Sequence, residues 1–100
     1  MTPLHFAASG GYLSVVEYLV NHKADIYSMD EDMLTPLHYS AINDHLSIFE
    51  FLIKQISGFH EGNIFESYLH WASENGLLSF VECLINHGAD MNAKTDNEGL

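Results

Sequence analysis

Arginine is absent from this chain, and lysine occurs only at Lys23, Lys54 and Lys94. Fourteen acidic residues stand against these three, giving a formal net charge of −11. Nucleic acid is therefore excluded as an expected ligand, because phosphate contacts need Lys and Arg. Anionic membrane surfaces are disfavoured on the same ground. A basic protein partner, by contrast, would be drawn in faster. Cysteine is nearly missing as well. A lone Cys83 cannot form an internal disulfide and fits a reducing, intracellular compartment, taken here as the cytoplasm. No apolar run reaches the length of a membrane span, and no basic-then-apolar start marks a secretory signal, so membrane insertion is not expected.

What the chain does have is a repeat. Thr2-Pro3-Leu4-His5 returns as Thr35-Pro36-Leu37-His38, and in altered form as Ser67-Tyr68-Leu69-His70, at offsets of 33 and 32 residues. In that register Phe6, Tyr39 and Trp71 coincide, as do Ala7, Ser40 and Ala72. Leu19, Leu52 and Leu84 also align, and Ala24-Asp25-Ile26 answers Ala89-Asp90-Met91. A period of this length signals stacked helical units. Such a stack offers a long binding face rather than one catalytic pocket.

The shared positions have physical roles. Thr before Pro reads as a helix start: the hydroxyl can cap free N–H groups, and Pro at the first helical position has no N–H to leave unpaired. Thr2 and Thr35 fit this reading, and Ser67 is expected to cap the third start although Tyr68 replaces the proline. Ser14/Glu17, Ser47/Glu50 and Ser79/Glu82 match the capping-box pattern and are expected to start a second helix in each unit. Behind each box apolar residues recur at helical spacing, as in Val15, Val16, Leu19 and Val20. Gly10-Gly11, Asp44 and Gly76 fall where the chain must reverse between helices. Gly88 is expected to end the second helix of unit three. Lys23 holds that place in unit one, at a cost of about 1 kcal/mol relative to Gly. Ile56 holds it in unit two and suits a left-handed cap badly, so that helix is expected to continue to Gly58.

These residues resemble the ankyrin repeat. The pattern runs through Thr2-Pro3-Leu4-His5-Phe6-Ala7-Ala8, Gly11, Val15-Val16, Leu19 and Ala24-Asp25, and again through Leu69-His70-Trp71-Ala72, Gly76, Val81, Leu84 and Gly88-Ala89-Asp90. The resemblance implies an all-α solenoid of stacked antiparallel helix pairs with projecting hairpin-like fingers. It divides the chain into repeat one (2–34), repeat two (35–66, with an irregular finger) and repeat three (67–100, incomplete at its C-terminal end). It further implies that His5, His38 and His70 hydrogen-bond within and between repeats, and that partners dock on finger tips and on the concave face of the first helices. Asn92 resembles the family's site of asparagine hydroxylation. Neither end shows a polar capping face, so the chain is expected to be a piece of a longer array or a short gene cut from one, and end-to-end self-association through the uncapped repeats is an expectation too.

Chemistry is not expected from these residues. Histidines of successive units would lie roughly 8–10 Å apart, too far to share a zinc ion held at about 2 Å from each nitrogen. Cys83 and His87 share a helix, but Cys83 aligns with Tyr18 and Phe51, which marks a packing position. Trp71 aligns with Phe6 and Tyr39 and is expected in the core. Asp30-Glu31-Asp32 lacks the glycine and the distant glutamate of a calcium loop. No metal, cofactor or catalytic residue follows. The expected role is a non-catalytic scaffold for a protein partner. The alternative is a regulatory or targeting module of a larger enzyme or membrane channel.

Residues that differ between units are the candidates for partner contact. On the fingers these are Tyr27, Met29, Asp30, Glu31 and Asp32, then Phe59, His60 and Phe65, then Lys94, Asp96 and Asn97. On the first helices they are Ile42, Asn43, Glu74 and Asn75.

Overall fold

Proline sets the first helices. Thr2 and Thr35 stand in extended backbone (φ −92°, ψ 167° and φ −96°, ψ 169°) directly before Pro3 and Pro36. A residue preceding proline is pushed out of the helical region, so the helix cannot start earlier. Each start is closed by a reciprocal capping box in which histidine takes the place usual for Glu or Gln. The Thr2 N–H donates to His5 Nδ1 at 3.1 Å, and the Thr35 N–H donates to His38 Nδ1 at 2.9 Å. The His5 N–H returns a bond to the Thr2 hydroxyl at 3.3 Å.

The computed structural model describes residues 1–56 and 63–87, and the chain divides into two compact units, Met1–Ser57 and Gly58–Leu100. The first unit holds α1 (Pro3–Gly10), α2 (Leu13–Asn21), α3 (Pro36–Ile42) and α4 (Leu46–Gln55). α1 packs on α2 and on α3, α3 packs on α4, and α2 touches α4, so two helical hairpins lie side by side. Leu4, Ala8, Val16, Leu37, Ala41 and Ile48 are at most 1% exposed. Ala7, Ala8, Ser40 and Ala41 keep α1 and α3 slender, which lets their backbones approach closely. The second unit holds α5 (Asn63–Glu74) and α6 (residues 78–87), with Ala72, Phe80 and Leu84 at most 2% exposed. No strand occurs among the described residues.

One turn reverses the chain in all three repeats. Gly11, Asp44 and Gly76 adopt left-handed backbone at φ 83°, 63° and 67°. The next N–H in each case reaches back to the helix it has just left: Tyr12 to the Ala7 carbonyl at 3.0 Å, His45 to Ser40 at 2.7 Å, Leu77 to Ala72 at 3.0 Å. This is a Schellman ending. Lys23 ends α2 the same way at φ 71°, with the Ala24 N–H on the Leu19 carbonyl at 2.9 Å.

Three expectations about helix ends are overturned. The Ser-x-x-Glu triples are not capping boxes. α2 starts at Leu13 behind Tyr12 and α4 at Leu46 behind His45, neither with a side-chain cap, and α6 starts at residue 78. Ser14, Ser47 and Ser79 are therefore second residues of running helices. The Schellman turn is so short that the second helix begins before the serine is reached. Ser67 does not cap either, because α5 begins four residues earlier, at Asn63. Tyr68 carries an N–H where Pro36 has none, and it places no restriction on the residue before it. Finally, α4 does not continue to Gly58. It ends at Gln55, and Ile56 turns extended (φ −86°, ψ 109°) and is 7% exposed. A β-branched residue avoids the left-handed cap by leaving the helix in the conformation it prefers. Gly88 lies outside the described residues.

Gly11 and Gly76 share a backbone conformation but not surroundings. A Cβ on Gly11 would stand 2.6 Å from His45 Cε1, whereas among the described residues nothing comes within 4 Å of one on Gly76. Urea unfolding should show Gly76→Ala costing about 1 kcal/mol from backbone strain alone. Gly11→Ala should cost about 2–3 kcal/mol, because the His45 ring must also be displaced. Lys23→Gly should stabilise by about 1 kcal/mol, since it relieves the left-handed lysine.

Candidate partner-binding surface

The segment from His22 to Thr35 joins α2 to α3 and forms the described finger. It is built around two aspartates. Asp25 makes the first turn: its Oδ1 accepts the Tyr27 N–H at 2.8 Å, and its carbonyl accepts the Ser28 hydroxyl at 2.9 Å. Asp30 makes the second. Its Oδ1 accepts the N–H groups of Asp32 and Leu34, each at 2.9 Å, and its Oδ2 accepts the Tyr39 hydroxyl from α3. Its own N–H donates to the Leu34 carbonyl at 3.0 Å, and its carbonyl accepts the Met33 N–H at 2.9 Å. Met33 sits at φ 63° to close this loop.

The Leu34 carbonyl also ties the finger to the preceding helix, accepting from His5 Nε2–H at 2.9 Å. That bond defines the imidazole. Nε2 carries the proton, and Nδ1 accepts from the Thr2 N–H. The Tyr39 ring meets His5 edge-on, with centroids 5.7 Å apart. His5, Leu34, Asp30 and Tyr39 thus form one network, in which the hydrogen bonds of His5 stay within repeat one and the Tyr39 ring contact and its bond to Asp30 reach repeat two. Farther along the same helices, His45 Nε2–H donates to the Ser9 carbonyl at 3.1 Å, and Asn43 Nδ2 donates to the Ser9 hydroxyl at 2.9 Å.

The network shifts titration. The Tyr39 hydroxyl, bonded to the Asp30 carboxylate, is pushed up to about 12. Asp30 is held below the usual carboxylate range, first by that hydroxyl and next by the Leu34 N–H. Burial of the His38 ring lowers it from 6.5 to about 4, against a smaller opposing pull from Asp30. The neutral ring is the form that can accept the Thr35 N–H.

These contacts reassign several candidates. Asp30 is not a free finger residue: its carboxylate holds the turn together. Asn43 bridges two repeats, and Asn75 caps the end of α5 by donating Nδ2 to the Trp71 carbonyl at 2.8 Å. Phe65 is not on a finger but inside α5. His70 is exposed in the middle of α5, unlike His5 at 0% exposure, so the third histidine does not repeat the buried pattern. Trp71 is half-buried rather than a core residue. Tyr27 and Met29 are 50% and 61% exposed, Glu31 and Asp32 are exposed, and Ile42 is 47% exposed. Glu74 is exposed on α5. Phe59, His60, Asn92, Lys94, Asp96 and Asn97 lie outside the described residues.

Met33, at 69% exposure, also stands on the finger surface, although it was not among the candidates. Its signal was a large apolar side chain within the finger segment. Phe6, Tyr12, Val15 and Tyr18 were not candidates either, and all are 47% exposed or more. Phe6 shares the repeat position of Trp71, which was expected in the core, Tyr18 shares that of Cys83, which was taken as a packing position, and Val15 belongs to an apolar run at helical spacing.

Some polar groups outside the finger are committed to structure as well. The Ser40 hydroxyl donates to the Leu37 carbonyl at 2.7 Å, and His22 Nδ1–H donates to the Tyr18 carbonyl at 2.8 Å while stacking on the Tyr18 ring. An open depression of about 360 Å³ lies beside Gly11, Asp44 and Ser47, and the histidine in its wall, His45, is already bonded to Ser9. Among the described residues no three His, Cys, Asp or Glu side chains converge as a metal site. Nor is any described helix long and apolar enough to cross a membrane.

His38 gives the fold a defined acid response. Its folded value lies below its ordinary one, so its contribution to stability is complete above pH 6.5 and is lost as pH falls toward 4. Asp30 has the same sign, and its contribution is lost below the ordinary carboxylate value of 3.8. The melting temperature should therefore decline from pH 6.5 to pH 4. His38→Gln, which keeps the capping-box geometry without a titrating ring, should flatten that part of the profile.

The family model described as Ankyrin repeats (3 copies) matches residues 1–63 and again residues 29–95.

Proposed function

This chain belongs to the ankyrin repeat family, and on that premise we propose that it is a non-catalytic scaffold that captures a protein partner through the finger of residues 24–34. Ankyrin repeats are generally protein–protein interaction modules. The observation that carries the finer reading is the make-up of this finger. Tyr27, Met29 and Met33 expose half or more of their surface beside the exposed carboxylates of Glu31 and Asp32. Asp30 meanwhile holds the loop in shape from within. A preorganised loop loses little entropy on binding. Aromatic and thioether side chains supply contact area, and the uncompensated carboxylates favour a basic segment. The suggested partner element is thus a peptide or helix that carries lysine or arginine next to an apolar anchor. The exposed Ile42 on α3 and Glu74 on α5 are further candidates of the first-helix face.

Selection from a displayed random-peptide library, followed by calorimetry, tests this. Selected peptides should pair basic with apolar residues. Glu31→Gln with Asp32→Asn should weaken them roughly threefold to tenfold at low salt, with a smaller effect at high salt. Met29→Ala should weaken them at both. Asp30→Asn should lower the melting temperature as well as binding, while the Glu31 and Asp32 changes leave melting unaltered. Peptides indifferent to all finger substitutions would refute the assignment.

A further inference from the structure

The finger carries one side chain that works against the fold holding it. Among the described residues five adopt left-handed backbone: Gly11, Lys23, Met33, Asp44 and Gly76. The two glycines have no Cβ to strain, and Lys23 and Asp44 turn exposed, charged side chains to water. Met33 differs from all four. It combines φ 63° with a large apolar side chain that is 69% exposed. Both features lower stability. The first strains the backbone, and the second leaves apolar surface in water.

Among the described residues, no hydrogen bond of the finger involves that side chain. Met33 closes the turn through its N–H, which donates to the Asp30 carbonyl at 2.9 Å, and glycine would make the same bond. The loop is held instead by the Asp30 carboxylate and by the Asp30 N–H on the Leu34 carbonyl. A backbone outlier whose side chain the turn does not use points to function. The residue type fits this. Methionine is unbranched at Cβ, so it enters left-handed backbone with less crowding than valine or isoleucine. Its flexible thioether adapts to irregular apolar surfaces. Tyr27 and Met29 are exposed too, but neither has left-handed backbone, so only Met33 combines exposure with strain.

We infer, on the premise of the proposed partner capture, that Met33 is the apolar contact that sets affinity at the finger, retained although it lowers stability. Met33 receives the apolar side chain of the captured peptide and sheds water from it, while the exposed carboxylates of Glu31 and Asp32 attract its lysine or arginine. All three residues lie in the one turn that the Met33 N–H closes onto Asp30. The basic and apolar groups of the peptide must therefore stand side by side rather than at separate sites along it.

Thermal melting and calorimetry of the full chain decide the matter. The probe is a peptide selected on the wild-type chain from a displayed random library, bearing lysine or arginine beside leucine or phenylalanine. Met33→Gly and Met33→Asn both relieve the strain, the second without the added freedom of glycine. Each should raise the melting temperature, Met33→Gly by about 4–8 °C, and each should weaken the peptide about tenfold or more. Met33→Leu keeps an apolar side chain of similar size. It should leave affinity within about threefold of the wild type and bring no gain in melting temperature. A fall in melting temperature in both Met33→Gly and Met33→Asn overturns the inference, because the side chain would then pack within the chain. So does unchanged affinity in these two variants. If Glu31→Gln with Asp32→Asn still weakens the peptide in that case, Met33 alone is excluded and the finger remains the capture site. A peptide indifferent to every finger substitution removes both.

Discussion

The imidazole of His5 is the contact on which the first unit turns. It is fully buried, and both nitrogens are used: Nδ1 closes the start of α1 and Nε2–H holds the Leu34 carbonyl at the end of the finger. One side chain thus joins the cap of one repeat to the entry of the next. A buried polar ring is tolerated only when its donor and acceptor are both satisfied, and here each partner is a backbone group whose position is set by the repeat. The finger then has one exit geometry. Asp30 and Tyr39 lock it from the other side, so α3 begins where Thr35 and Pro36 place it.

That arrangement separates structural acids from available ones within three consecutive residues. Asp30 spends its carboxylate on two N–H groups and a phenol, whereas Glu31 and Asp32 are exposed. Variation between repeats cannot distinguish the two cases. A residue can differ between units because it meets a partner or because it builds a loop that its own unit alone requires. Asn43 and Asn75 make the same point at the ends of the first helices: both read as free and both bond to backbone carbonyls or neighbouring side chains.

The frame was readable in the chain because its signals are local and steric. Thr-Pro excludes earlier helix, and left-handed positions attract Gly or Asp, so Thr2, Thr35, Gly11, Asp44, Gly76 and the strained Lys23 were all foreseen. The failures share a cause. Ser14, Ser47 and Ser79 match a capping-box pattern, but the pattern ignores the preceding turn, which bonds Tyr12, His45 and Leu77 back to the first helix and starts the second at once. Ser67 failed because what stops α1 and α3 from starting sooner is the proline, not the hydroxyl. Ile56 failed because a residue that resists one cap has two escapes, a longer helix or an extended exit, and composition does not choose between them. The site was less legible than the frame. Exposure depends on what covers a position, and the same repeat position is buried at Ile48 and open at Val15.

This last contrast follows from the geometry of a linear array. In a closed globule each apolar residue has its partner elsewhere in the same core. In a stack of near-copies the partner of any residue is its neighbour one unit away, and cohesion is a sum over adjacent pairs. The surface chemistry of a repeat therefore cannot be assigned from the repeat alone. Tyr12 and His45 occupy one register position, yet the His45 ring rests on Gly11 of the neighbouring hairpin and donates to a carbonyl, while the Tyr12 ring lies against Gly10 of its own hairpin and is 62% exposed. Sequence variation at such a position changes what an open face can hold without disturbing the hairpin that carries it. An array can thus alter its recognition at an open face while its turns, caps and buried histidine stay as they are. The same logic makes the fingers tolerant: Asp30 fixes the loop, and the residues on either side of it can vary.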